Sequence, residues 1–558
     1  MVEILSVLTV LFVTVGVLVL VGSRLSIPLV PLYLLAGLLV GPFVDETQLL
    51  ELAQWGIAFL VFFFGVEVEP RGLRSVVGDG SFVALLQVGV VGTLGLSLGV
   101  LFDFSVTEAV VFGVAAGVSS SLVGLGHLTP QTEPRRPYER ISEAAHFVQD
   151  VIAVLLILVL SAILYGEGSM GALVGGGLLA AGLIIRLFVF DAVASFAEGN
   201  EEVMMLVGVS IIIGFIAVAE FVGLSIVVAA FAAGIAMSRE YPHNVETLAQ
   251  LGYLRDFFVP LFFVTVGALA PGLSLTAVGY AAVLVLTAAL INPVVAALGL
   301  LYRGYAIRTA SRTAMSLNQV SEFALFLVIE LFLLGLIRES LFDAVVLAAV
   351  ITMLLASIIR NQQDQFAGWI ASRTPPVPSR FAREYETPPE GISGHVVVLG
   401  YGTVGRLIAE RCQAAGREVV VVEIDPARLA AAREARSTAI FGDAMDDETW
   451  TRARVDTAEL IVSTVPDEST SRFVCGVAID HNVDVIVRAR SVATVEGLLA
   501  DGALFVIVAE TLAAARFSDI IDEALASEQA RDELRHRARE ELDLVPRQPL
   551  SGDPRTAD

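Results

Sequence analysis

Thirteen apolar stretches, separated by short polar loops, occupy the first 360 residues: roughly 4–22, 27–44, 50–67, 81–102, 107–127, 143–165, 170–192, 203–221, 224–238, 254–271, 276–301, 312–336 and 340–359. Most are long enough for a helix to cross about 30 Å of hydrocarbon. Beyond Arg360 the pattern changes: after a short helix, RTPPVPSRFAREYETPPEGISG reads as a proline-rich linker. From about His395, short β-branched runs (HVVVLG, EVVVVEID, TAIFGD, ELIVSTV, DVIVRAR, LFVIVAE) alternate with helical patterns. That alternation implies a parallel sheet of Rossmann type. The expected architecture is a polytopic α-helical membrane region over residues 1–360 with about 13 transmembrane helices, a linker at 361–393, an α/β domain at 394–515, and a charged, helical and disordered tail at 516–558.

Composition sharpens this division. Of 558 residues 56% are hydrophobic and 17% charged, with a mean hydropathy of +0.77, too apolar for a soluble chain. The net charge of −24 is shared equally by the two regions, and every one of the 35 basic residues is arginine. Such an acidic chain gives nucleic acid phosphates no electrostatic reason to bind. Cys412 and Cys475 both fall in the C-terminal part, as expected of free thiols in a reducing cytosol. The first apolar run follows Glu3 without a basic leader or evident cleavage site, so it reads as a retained helix. With thirteen crossings and the α/β domain inside, twelve arginines lie in or beside inner loops and only Arg338 lies in an outer one. That asymmetry places the N-terminus outside and the C-terminal domain in the cytoplasm, at the cell membrane.

The apolar region also repeats itself. LLAGLLVGP in the second stretch resembles AFAAGIAMS in the ninth, setting Gly37 against Gly234. FLVFFFGVEVEP in the third resembles PLFFVTVGALAP in the tenth, setting Gly65 against Gly267. Ser119-Ser120-Ser121 in the fifth then falls opposite Asn318-Gln319-Val320-Ser321 in the twelfth. The shared offset of about 200 positions is the signal. Counterparts seven stretches apart run oppositely through the bilayer, which is the inverted repeat of secondary transporters.

An ionisable side chain deep in lipid is costly and marks a pathway. Gln149-Asp150 lies inside the apolar run AAHFVQDVIAVLLILVL. An aspartate there is stable when protonated, or when ionised with a bound cation, so proton and cation exclude one another. A single carboxylate beside a neutral amide predicts one-for-one, electroneutral exchange. The polar breaks at Ser119, Ser120, Ser121 and at Gln319, Ser321, Glu322 are expected to unwind their helices and supply oxygens beside Asp150. For Glu322 a loop-facing role or a pairing with Arg186 stands as the alternative; Arg186 and Asp191 are themselves badly spaced for a mutual ion pair.

In the α/β region, Gly400-Tyr401-Gly402-Thr403-Val404-Gly405 follows the strand HVVVLG and opens a helix, with Glu423 ending the next strand. This context specifies a dinucleotide fold: Gly400, Gly402 and Gly405 permit a tight turn and close approach to a pyrophosphate ahead of a helix beginning near Arg406, Thr403 and Val404 within the turn are further binding candidates, and Glu423 is placed to accept ribose hydroxyls. An acid there favours NAD(H) or an adenine nucleotide over a 2′-phosphorylated cofactor. The residues leave open a Na⁺/H⁺ exchanger, a nucleotide-gated potassium channel, and a membrane-bound NAD-dependent dehydrogenase, the last lacking an evident substrate domain.

These motifs resemble the monovalent cation:proton antiporter-2 family, in the glutathione-regulated potassium-efflux branch with a C-terminal RCK, or TrkA-N, domain. The resemblance rests on YLLAGLLVGP (33–42), GIAFLVFFFGVEVEP (56–70), Gln149-Asp150, GLSIVVAAFAAGIAMS (223–238), PLFFVTVG (260–267), NQVSEF (318–323) and the glycine fingerprint. It implies a sodium/proton antiporter-like homodimer with a dimerisation domain and a mobile core. The ion site would be Asp150 with the two helix breaks, for K⁺ or Na⁺ against H⁺, and the RCK domain would bind a regulatory nucleotide. One position departs from the pattern: where many relatives carry a lysine, this chain has Asn292 before Pro293.

Overall fold

The computed structural model describes residues 2–24, 27–44, 46–67, 78–125, 137–165, 169–190, 192–193, 201–238, 243–270, 274–303, 305, 307–360, 362–373, 391–435, 437–445 and 447–544. They form two compact units, Met1–Phe381 and Ala382–Asp558.

Among its described residues the regular elements of the first unit are helices: α1 (Val2–Arg24), α2 (Leu29–Val40), α3 (Glu46–Glu67), α4 (Asp79–Leu101), α5 (Val106–Gly117), α6 (Ser121–Gly124), α7 (Pro137–Tyr165), α8 (Ser169–Ile185), α9 (Glu201–Val222), α10 (Ile226–Met237), α11 (His243–Ala268), α12 (Leu275–Leu286), α13 (Asn292–Tyr302), α14 (Ile307–Ser316), α15 (Glu322–Leu333), α16 (Glu339–Arg360) and α17 (Gln363–Arg373). Each apolar stretch coincides with one helix or with an interrupted pair. By length and composition, six spans among the described residues are able to cross a membrane: Asp79–Leu101, Val106–Gly124, Tyr138–Leu160, Glu202–Val222, Leu275–Tyr302 and Glu339–Arg360. Large apolar side chains such as Leu85, Leu101, Phe221 and Leu275 point outward, as a hydrocarbon surround permits. Serines cap the helices that begin in the interior: Ser225 accepts from Val227 N and Ser321 from Phe323 N. Where water is scarce, such caps satisfy donors that would otherwise be orphaned.

The glycine pairs read from the repeat sit at two helix crossings. A Cβ on Gly37 in α2 would lie 2.8 Å from Gly267 Cα in α11, and one on Gly65 in α3 would lie 2.9 Å from Gly234 Cα in α10. Exchanging α2 with α10 and α3 with α11 converts one crossing into the other. The backbones meet because neither partner has a side chain at the contact.

The linker expected at 361–393 begins as structure: α17 packs on α14, while residues 374–390 lie outside the described residues. Arg338, the arginine assigned to the outer side, is gripped by Glu108, with Nε 2.7 Å from Oε1 and Nη2 2.9 Å from Oε2.

The second unit alternates β1 (His395–Leu399), α18 (Thr403–Ala414), β2 (Val419–Glu423), α19 (Pro426–Glu434), β3 (Thr438–Phe441), α20 (Asp447–Arg452), β4 (Ala458–Ser463), α21 (Glu468–His481), β5 (Asp484–Ala489), α22 (Val495–Ala500) and β6 (Phe505–Val508). All pairings are parallel, in the order β3-β2-β1-β4-β5-β6. Every residue of β1 and β2 is buried, because helices cover both faces of the sheet. The strand order reverses between β1 and β4, the crevice where such sheets bind ligands. Cys412 and Cys475 are free thiols, both pushed up by burial. Helix α23 (Ala509–Ala526) runs through the boundary expected at 515–516, and α24 (Glu528–Leu544) folds back on it through Arg537 and Glu523. The terminal residues expected to be disordered, 545–558, lie outside the described residues.

Candidate functional site

Two interrupted helices meet in the first unit. One chain runs α5, an extended break at Val118–Ser120, then α6; the other runs α14, a break at 317–321, then α15. The breaks are bonded across. Ser119 Oγ donates to Leu317 O at 3.0 Å, and Gln319 Nε2 donates to Ser120 O at 2.9 Å. Ser121 Oγ donates to Glu322 Oε1 at 2.6 Å, and Leu122 N reaches the same oxygen at 3.2 Å. Glu322 thus joins the crossing, and its carboxylate sits at the N-terminus of α6, where the free amides of a helix start favour negative charge. Ser119, Ser120, Ser121, Gln319, Ser321 and Glu322 all lie in or directly beside the two breaks. The partners of Ser119, Ser120 and Ser121 lie 198, 199 and 201 positions away, matching the repeat.

Gln149 and Asp150 approach from α7, and both are buried. Gln149 does not present a bare oxygen to the site: its Oε1 accepts from Ser119 N at 2.9 Å. Its Nε2 donates to Gln87 Oε1 at 2.8 Å, and Gln87 Nε2 donates to Asn292 O at 3.3 Å. Asn292 Nδ2 closes the loop on Ser119 Oγ at 3.3 Å. Main-chain chemistry fixes every amide in this ring. Ser119 N can only donate, so Gln149 must turn its oxygen toward it and its NH₂ toward Gln87. Gln87 must then offer its oxygen to Gln149 and its NH₂ to a carbonyl, which can only accept. The ring is neutral and ties α4, the break after α5, α7 and α13 around the residue before Asp150. Gln87 carried no charge to flag it; a lone glutamine in the apolar run VALLQVGVVG was the available signal. Glu330 was also missed, and it accepts from Ser225 Oγ at 3.2 Å, tying α15 to α10.

A cavity of about 220 Å³ lies between α4, α5 and α7, lined by Val88, Gly92, Thr93, Gly117, Val118 and Ile152 among others. Val88 and Val118 directly adjoin Gln87 and Ser119 in the chain, so this largely apolar space abuts the polar ring.

In the second unit Gly400 has φ +83°, and a Cβ on Gly405 would lie 1.8 Å from Gly400 O, so both positions require glycine. Thr403 and Val404 form the first turn of α18, and Arg428 Nη1 stands 3.5 Å from where a Gly402 Cβ would be. Glu423 has other partners than the ribose expected from sequence. Its Oε2 accepts from Tyr401 N at 2.6 Å, and its Oε1 accepts from Ile424 N and Asp425 N at 2.7 and 2.8 Å. The carboxylate is 3% exposed and clamps the glycine loop to the end of β2. Glu423→Ala is therefore expected to destabilise this domain by about 1–3 kcal/mol, since one buried and two part-buried amides lose their acceptor. The melting of the second unit within the full chain, followed by near-UV circular dichroism, checks this.

Residues 7–360 match the family described as sodium/hydrogen exchanger, transmembrane, and residues 396–509 match the TrkA-N domain. The putative cation/proton antiporter YbaL of Escherichia coli K12 is 27% identical over 484 residues, covering 82% of this chain and 86% of that protein. The glutathione-regulated potassium-efflux system protein KefC of Salmonella schwarzengrund is 24% identical over 495 residues, covering 85% of this chain and 77% of that protein. Among solved structures, the TrkA-N domain of E. coli inner membrane protein ybaL is 26% identical, covering 23% of this chain and 98% of that one, with a TM-score of 0.23. The GsuK channel bound to NAD is 16% identical, covering 42% of this chain and 40% of that one, with a TM-score of 0.21. The family match spans more than half of the chain and contains both interrupted helices. The chain belongs to the sodium/hydrogen exchanger family: it is a multi-pass cation/proton antiporter with a C-terminal TrkA-N domain, a transporter and not an enzyme.

Proposed function

We propose that the protein exchanges K⁺ for H⁺ electroneutrally, with Asp150 as the group that carries one or the other by alternating access. The observation that carries this reading is the bonded crossing of two interrupted helices, Ser119 to Leu317 and Gln319 to Ser120, to which Gln149, the chain neighbour of the buried Asp150, is bonded at Ser119 N. Unwound helices at depth expose carbonyls and hydroxyls that can replace a cation's hydration shell. The neutral ring around Gln149 leaves Asp150 as the charge that proton and cation contest, with Ser119, Ser120, Ser121, Gln319, Ser321 and Glu322 shaping the site. Thirteen crossings put the N-terminus outside and the TrkA-N domain in the cytoplasm of a cell-membrane transporter.

The glycine loop, the start of α18 and Arg428 suit the phosphates of NAD(H) or an adenine nucleotide, whose binding would regulate exchange. In α23, Leu512, Phe517, Ile521 and Leu525 are exposed, a surface suited to a homodimer. Na⁺ is the second candidate cation. In proteoliposomes with an imposed pH gradient, K⁺ is expected to dissipate the gradient faster than Na⁺. Clamping the membrane potential is expected to leave the rate unchanged; a rate that follows the potential would reject electroneutral exchange.

A further inference from the structure

The structure points to one more oxygen of the ion site. We infer that Asn292 Oδ1 is a direct ligand of the transported cation, and that Gln87 is the positioning residue that holds the ring in which Asn292 is set. This rests on the reading of Asp150 as the exchange site.

Most side-chain oxygens at the crossing already have donors. Gln149 Oε1 is engaged by Ser119 N, Gln319 Oε1 by Asn318 N, and Glu322 Oε1 by Ser121 and Leu122. Ser119 Oγ spends its single proton on Leu317 O, so toward Asn292 it can only accept. Asn292 must therefore present its NH₂ to Ser119, and its carbonyl oxygen is turned away from that bond. That oxygen is fully buried and has no hydrogen-bond partner among the described residues. A buried amide oxygen left in this state is unfavourable unless something positive comes to it. Two further buried oxygens there share the property, Asn318 Oδ1 and Glu322 Oε2. Asn292 is distinguished because its side-chain orientation follows from Ser119 Oγ, whose proton is committed to Leu317 O, while Gln87 Nε2 holds its main-chain carbonyl.

The local backbone is shaped for such a role. A π-helical turn, Thr287–Ile291, immediately precedes Asn292, and Pro293 follows it, so the helix is re-registered at this residue. A neutral amide oxygen adds coordination for a monovalent cation without adding charge, as carbonyl oxygens do in potassium-selective filters. It therefore strengthens cation binding while preserving a site with one titrating carboxylate.

The test compares Asn292→Ala, Asn292→Asp and Gln87→Leu with the wild type in proteoliposomes, using K⁺ and Na⁺, with thermal melts in detergent alongside. Asn292→Ala is expected to raise the cation KM about tenfold, with the maximal rate changed less than about twofold. Gln87→Leu should raise KM by a smaller factor. Asn292→Asp keeps an oxygen in place but loses the Nδ2 donor to Ser119, so it should retain more cation affinity than Asn292→Ala and make exchange depend on membrane potential. An Asn292→Ala protein that is folded with unchanged KM overturns the assignment, as does Asn292→Asp binding cation as poorly as Asn292→Ala. If Asn292→Ala fails to fold, the Asn292→Asp result decides. Wild-type exchange that survives Asp150→Asn would instead overturn the underlying reading of the site.

Discussion

Asp150→Asn is expected to reduce cation-driven proton exchange to the background of empty liposomes, a loss of at least about 100-fold, or about 2.7 kcal/mol. The substitution nearly preserves volume and hydrogen-bonding capacity, so the fold should survive. What disappears is the ability to be neutral with a proton and negative without one. Asparagine offers an oxygen to a cation but no charge to balance it, and it releases no proton at any physiological pH. A helix-packing role for Asp150 predicts the opposite pattern, reduced melting temperature with exchange retained in the folded fraction. The two readouts together separate these accounts.

The largest structural effect is expected at the paired glycines. Gly234→Val puts a β-carbon where it would lie 2.1 Å from Phe62 O, and the two branches beyond it have nowhere to go. Opening the α3–α10 crossing is expected to cost about 3 kcal/mol or more and to show as loss of monodisperse protein in detergent. Gly37→Val should behave alike, because its β-carbon would lie 2.0 Å from Val264 O at the repeat-related α2–α11 crossing. Gly89→Ala is the control: nothing lies within 4 Å of the added carbon, so the substitution should be neutral or slightly stabilising. Equal tolerance at all three positions would contradict the packing described.

The repeat was legible because close helix contact in a membrane depends on glycine, and glycines at similar offsets of about 200 positions are visible in one sequence. The helix breaks were legible for a related reason: runs such as SSS and NQVS are poor company for lipid and signal a lined cavity. The polar ring was not. Gln87 is uncharged and isolated, and nothing in the sequence ties it to Gln149 62 positions away. Asn292 stood out only as a departure from a resembled pattern, and its partner Ser119 is supplied by the fold. Glu423 shows the limit of motif reading: its place at a strand end was readable, but the side chain turns to two amides of its own loop and one of the glycine loop. Sequence spacing fixes where a side chain starts, while neighbouring donors decide where it points.

The central claim is that proton and cation compete for one carboxylate, and equilibrium binding tests it without transport. In purified protein, the apparent Kd for K⁺ should weaken about tenfold for each pH unit lowered once the medium is acid enough to protonate Asp150, and Asp150→Asn should abolish that dependence. A K⁺ affinity that stays constant across the same pH range in the wild-type protein would contradict the account.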